Sequence, residues 1–175
     1  MEKLKQNIID NILESEVKLG RTNTSITFYY PESSLTELLE CGSDELSERI
    51  TDFLNNEKEY FGEVIIEKLV NEKGRYGVKI PREGLDYVYR NYRPSNFIKD
   101  FINEIKKPDN NLETIADFFR KYSSDVMIIR NNENEWAFYF SDESIDPYVY
   151  HIEQNIFGLE YHRFTRTAYE KLMEE

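Results

Sequence analysis

The sequence predicts an α+β chain built in two halves. Three observations point to it: apolar residues recur three and four apart in several segments, β-rich runs flank polar turns, and Arg93-Pro94-Ser95 interrupts the pattern near the middle. Proline disfavours helix in the residue before it, and Ser95 can cap a new helix, so domains of 1–93 and 94–175 are expected, with either separate cores or a shared one.

In the first half, Leu4, Ile8, Ile9, Ile12, Leu13 and Val17 trace one face of a helix that Gly20 can end. Ser25 to Tyr30 is β-branched and aromatic and stops at Pro31, which suits a short strand. Ser34-Leu35-Thr36-Glu37 has the spacing of a capping box and predicts a short helix reaching Gly42. Ser43-Asp44-Glu45 offers a second cap with acids in the first turn, opening a helix from Ser43 to Asn56 whose stripe is Leu46, Ile50, Phe53 and Leu54. Val64 to Val70, the turn Asn71-Glu72-Lys73-Gly74 and Tyr76 to Ile80 read as a hairpin, and Pro81 to Tyr89 then begins a helix with Pro in its first turn, although Leu85, Tyr87 and Tyr89 would also fit a strand.

In the second half, Phe97, Ile98, Phe101, Ile102 and Ile105 form an amphipathic helix halted by Pro108. A further helix follows through Leu112, Ile115, Ala116 and Phe119, with Asn110 and Glu113 as its box-like cap. Asp125 to Arg130 and Glu135 to Phe140 predict a β-hairpin in which Trp136, Phe138 and Phe140 share a face. Asp146-Pro147 has the form of an N-cap and first helical residue, and Tyr148, Val149, Ile152 and Ile156 fit one side of a helix closed by Gly158. Leu159 to Phe164 alternates like a strand, and Thr167 to Glu170 caps a last helix. The second half is therefore expected to be a small α+β unit containing one hairpin.

Composition narrows the classes of function. There are 22 Lys plus Arg against 34 Asp plus Glu, a net charge of −12, with 39% apolar and 14% aromatic residues. Eleven Phe and 13 Tyr supply apolar area that disordered chains lack. No apolar run approaches the roughly 20 residues of a membrane span, and Met1-Glu2-Lys3-Leu4-Lys5-Gln6 leads into no apolar signal region. With Cys41 as the lone cysteine, a cytoplasmic location is expected, and Cys41 reads as a small buried hydrophobe near a helix end.

The order helix, strand, helix, helix, hairpin, helix resembles a winged helix-turn-helix domain over the first half, most specifically in Val78-Lys79-Ile80-Pro81-Arg82-Glu83-Gly84-Leu85. The whole chain is also similar to an uncharacterised bacterial family through Lys18-Leu19-Gly20 and Tyr29-Tyr30-Pro31-Glu32-Ser33-Ser34-Leu35. That family has no established activity. The winged-helix resemblance implies DNA contact through the third helix and the hairpin, with Lys73, Arg75, Lys79 and Arg82 as phosphate contacts and a homodimer as an option. Charge opposes this, because the third helix carries Asp44, Glu45, Glu48 and Asp52 against Arg49, and a polyanion would be repelled.

A catalytic or metal reading has only His151 and His162 to build on, with Glu153 and Glu160 as carboxylate partners. His151 and Glu153 are two apart, which on a helix faces them away from each other, whereas His162 and Glu160 would share a strand face. No metal-ligand spacing, nucleophile elbow or phosphate-cradling glycine loop occurs, and Gly numbers only seven, so no cofactor, metal or catalytic residue is expected. Acid combined with tyrosine remains, since tyrosine offers large contact area at low rotamer cost and negative potential steers basic partners. The expected role is thus a non-catalytic binding protein with an unknown protein partner, contacted through Tyr87, Tyr89 and Tyr92. A DNA-binding regulator is the alternative, and an enzyme with a carboxylate–His site is the second.

Overall fold

The computed structural model describes residues 1–174 and divides into two compact units, the first Met1–Pro94 and the second beginning at Ser95. Position 175, the end of the expected second domain, lies outside the described residues.

The first unit runs α1 (Glu2–Leu19), β1 (Ile26–Pro31), α2 (Glu32–Leu39), α3 (Leu46–Phe61), β2 (Ile65–Lys68), β3 (Arg75–Ile80) and α4 (Arg82–Asn91). Its sheet has the antiparallel order β1-β3-β2, with Val78 opposite both Phe28 and Ile66. The helices bury their apolar stripes over one core: Leu4, Ile8 and Ile12 of α1, Leu35 of α2, Phe53 and Phe61 of α3, and Leu85 and Val88 of α4 meet Val78 and Ile80 of β3. Cys41 packs against this core only half-buried, and that burial raises its thiol pKa.

The two expected caps in this unit do not form. α2 begins at Glu32 with Pro31 at the cap position, so Ser34 sits inside the helix, buried, and no side chain caps it. The strand ends on Pro31, whose fixed φ already suits the turn into helix, so the chain does not need the serine. α3 opens after Glu45 with no side-chain cap, because residues 43–45 form a turn, and it continues past Asn56 to Phe61.

The second unit runs α5 (Asn96–Ile105), α6 (Leu112–Tyr122), β4 (Val126–Asn132), β5 (Glu135–Phe140), β6 (Val149–Asn155), β7 (Gly158–Phe164) and α7 (Arg166–Glu174). The four strands form an antiparallel sheet in sequence order. Ser95 caps α5 by accepting from the Ile98 amide at 3.1 Å. The cap of α6 is displaced by one residue from the expected pair: Asn111 accepts from the Thr114 amide, and the Thr114 hydroxyl accepts from the Asn111 amide, both at 3.0 Å. Asn110 instead donates to the Glu104 side chain and carbonyl. α7 is capped by Thr165, ahead of the expected Thr167, through the Ala168 amide at 3.3 Å.

The largest departure from expectation is β6. Residues 148–156 are strand and turn, not helix, and the expected single hairpin becomes a four-stranded sheet. Both faces of β6 are covered at its start. Tyr150 and Ile152 stand opposite Phe138 and Trp136 on the face that meets α5 and α6, while Val149 joins Ala137 and Tyr169 under α7. A strand covered on both sides loses its two-residue polar alternation, and the remaining apolar residues fall at helical spacing by coincidence. Asp146 does not cap a helix; its Oδ1 accepts from the Tyr148 amide and its Oδ2 from the Tyr150 hydroxyl, each at 3.0 Å, closing an Asx turn into the strand. Ile156, expected on the helix stripe, lies 92% exposed at the β6–β7 turn.

The core of this unit is aromatic. Phe97 and Phe101 of α5, Phe118 and Phe119 of α6, and Phe138, Phe140 and Tyr150 of the sheet interleave mainly edge-to-face, with centroids such as Phe101–Tyr150 at 4.7 Å. Trp136, Phe138 and Phe140 do share the buried face, as their alternation implied.

Both units offer a stability test of this packing. A Cβ at Gly84 would stand 2.7 Å from the Phe61 carbonyl oxygen and 2.8 Å from Ile80 Cγ2. Gly84→Ala should therefore lose about 1–3 kcal/mol in urea unfolding despite alanine's better helix propensity. Burial, with Asp100 accepting from the phenol, raises the Tyr122 pKa from 10.0 to about 12. Because the folded value is the higher one, this contribution is complete below pH 10 and declines as the pH climbs toward 12. Between the two ends of that window, urea midpoints should drop more for the wild type than for Tyr122→Phe.

Candidate functional site

On α3, the buried stripe Leu46, Ile50, Phe53, Glu57 and Phe61 points inward, which leaves Tyr60 on its edge, 39% exposed. On α4, Leu85, Val88 and Tyr89 point inward, so Tyr87 lies on the flank, and Tyr92 follows where the chain leaves the helix in extended conformation. The packing of these two helices gathers the flanking rings. Tyr60 and Tyr87 are 5.3 Å apart between centroids, Tyr87 and Tyr92 are 6.0 Å apart, and Phe61 backs Tyr87 at 6.0 Å. The hydrogen bond between Tyr92 and Tyr87, then burial, raise the Tyr87 pKa.

Lys5 of α1 fixes this cluster from beneath. Its Nζ lies 4.0 Å from the Tyr60 ring centroid and 2.8 Å from Glu57 Oε2, and both charged side chains are largely buried. Burial opposes the ammonium charge, but the Glu57 carboxylate outweighs it, and the Lys5 pKa is raised. Exposed charges of both signs flank the rings along the chain: Glu59 on α3 and Glu83 one turn before Tyr87, with Arg90 one turn after it and Arg93 next to Tyr92.

Of the three tyrosines expected to contact a partner, Tyr87 and Tyr92 are half-buried within this cluster. Tyr89 is elsewhere. It is 6% exposed in the core, its hydroxyl accepts from the Thr22 amide at 3.4 Å, and Arg21 lies 5.1 Å from its ring. The sequence does not single out Tyr60, because it stands far from Tyr87 along the chain and only the α3–α4 packing brings them together.

Of the four cations expected at phosphate, two are paired with carboxylates. Arg75 pairs with Glu72 at 2.9 Å and Arg82 with Asp86 at 3.6 Å, while Lys79 lies exposed on β3 and Lys73 in the turn before it. Lys68 is also tied to a carboxylate, that of Glu32 at 3.1 Å. The outer face of α3 presents Glu48, Asp52 and Glu59, all exposed.

In the second unit the two imidazoles are cross-strand partners, His151 on β6 facing His162 on β7. A helix at 148–156 would have kept them apart. Glu135, Glu153 and Glu160 form the next row of the same sheet face, and Glu135 Oε1 lies 2.8 Å from His151 Nε2. A recess of about 450 Å³ takes in His162 and Glu160 beside Lys106, Pro108, Phe157 and Tyr161, but not His151. Among the described residues no group of three or more His, Cys, Asp and Glu side chains is placed to hold a metal ion. No described helix is long and apolar enough to cross a membrane.

Because Lys5 and Glu57 form a largely buried pair, removing one partner strands the other charge. Lys5→Met should lower stability by about 3 kcal/mol in chemical denaturation, and adding Glu57→Gln should restore part of the loss.

No curated protein and no solved structure matches the chain, so the winged-helix resemblance is not confirmed and rests on the order of elements and the segment Val78 to Leu85. A family model covers residues 1–173. Its description is "Domain of unknown function, E. rectale Gene description", DUF3877, which assigns no specific function, and the chain belongs to that family.

Proposed function

We propose that this protein is a non-catalytic binding module whose N-terminal unit docks a basic polypeptide segment on the tyrosine cluster of α3 and α4. The observation that carries the reading is the set Tyr60, Tyr87 and Tyr92, grouped where α3 meets α4 over a charged Lys5–Glu57 support. Clustered tyrosines give rigid area for contact, and a cationic side chain can lie on their faces. A net charge of −12 speeds encounter with basic partners and opposes polyphosphate. The electrostatics disfavour duplex DNA as ligand, since the exposed face of α3 is acidic and Arg75 and Arg82 are paired with carboxylates.

The test is affinity purification from native cell extract with the wild type and with Tyr60→Ala/Tyr92→Ala, followed by binding measurements on the recovered partner. The expected partner is a protein with a basic segment whose affinity falls in the variant by at least about 30-fold, the scale of a single hot-spot truncation. Retention of the partner by the variant would refute the assignment of the surface. Nanomolar duplex-DNA binding that weakens steeply with salt and vanishes on replacing Lys73 and Lys79 by alanine would establish the regulator instead.

A further inference from the structure

Proteins protect the outer strands of their sheets, because an unpaired row of amides and carbonyls is a template for another strand. Three of the four edges here carry such protection. β7 presents Glu160, His162 and Arg163; β2 is four residues long and contains Glu67 and Lys68; β1 ends in Pro31. β4 has none of these over Val126-Met127-Ile128-Ile129; its one irregularity, a bulge against β5 between Arg130 and Asn132, lies beyond that stretch. Its single ionised side chain, Arg130, is held against its own unit, 4.3 Å from the Trp136 ring and 3.2 Å from Glu113. Met127 and Ile129 point to the same face and are 46% and 38% exposed.

We infer that β4 is a homodimer interface, pairing antiparallel with β4 of a second copy to join two four-stranded sheets into one continuous sheet. The pattern of the strand selects both occupant and register. When Ile128 lies opposite Ile128 of the partner subunit, Met127 faces Ile129 of the partner subunit and Ile129 faces Met127 of the partner subunit. Each copy then covers the other's exposed apolar side chains, and residues that face one another share a side of the sheet, as antiparallel pairing requires. Val126 stands opposite Arg130 of the partner subunit, so like charges never meet across the seam. This matters because two copies each of charge −12 repel, and the uncharged stretch 126–129 is where their approach costs least. A basic or acidic peptide would find no charge to pair with there. The twofold arrangement also closes, since each edge is consumed by its equivalent and no filament can grow.

Light scattering coupled to size exclusion tests this on the full chain. The wild type should give twice the chain mass, and Met127→Lys/Ile129→Lys should give the mass of one chain with an unchanged far-UV circular dichroism spectrum. A second variant is independent of lysine's effect on folding. Cys41→Ser/Ile128→Cys should form a covalent dimer under mild oxidation that reductant reverses, because position 128 meets its own copy on the twofold axis. A wild type of one-chain mass at every concentration, a dimer that persists in the double-lysine variant, or a dimer in which the thiols introduced by Ile128→Cys fail to cross-link would each overturn the inference.

Discussion

The close seating of α4 on the end of α3 shapes everything else in the N-terminal unit. Gly84 stands so near the Phe61 carbonyl and Ile80 that no larger residue fits without displacement. That approach buries Leu85 and Val88 against the shared core and turns Tyr87 toward Tyr60. The surface cluster is therefore a by-product of core packing: the residues beside the two buried stripes meet because the stripes do. Lys5 extends the arrangement to α1, since its ammonium forms an ion pair with a carboxylate that the α3 stripe carries inward at Glu57. A polar group at a stripe position is costly unless paired, and the pairing here also places a cation beneath an exposed ring.

The second unit solves a different problem, covering both faces of a four-stranded sheet with only three short helices. One face is filled by aromatic rings from α5 and α6, whose edge-to-face contacts pack large area into few residues. The other face is covered only in part by α7 through Tyr169, with Ala137, Val149, Tyr139 and Phe164 around it. Beyond that cover the same face continues in one direction to the row of Glu135, Glu153 and Glu160 beside the His151–His162 pair, and in the other to the outer side of β4 with Met127 and Ile129. The polar part is internally paired at His151 and Glu135, whereas Met127 and Ile129 stay open to solvent at the sheet edge.

Charge organises the exterior in both units. With carboxylates in excess, many of the described cations stand beside an acid, and those on the β2–β3 hairpin illustrate it: Arg75 with Glu72 and Lys68 with Glu32. Exposed pairs of this kind add little stability, so their main consequence is to cancel local positive potential. The hairpin cations thus offer polyphosphate much less than their number in the sequence implies.

Local pattern was enough to establish the α+β class and nearly all the amphipathic helices, because each of these is written in residue spacing or in a serine cap such as Ser95. It placed the ends of helices less well, since Ser34, Ser43 and Asn110 each offered a plausible cap that the neighbouring geometry made unnecessary or gave to the next residue. The strand β6 had to await the folded chain, where cover on both faces erased the alternation that marks a strand, and with it the meeting of His151 and His162. So did the separation of buried Tyr89 from Tyr60, Tyr87 and Tyr92 at the surface, because membership of a surface depends on which helices touch, and distance along the chain says nothing about that.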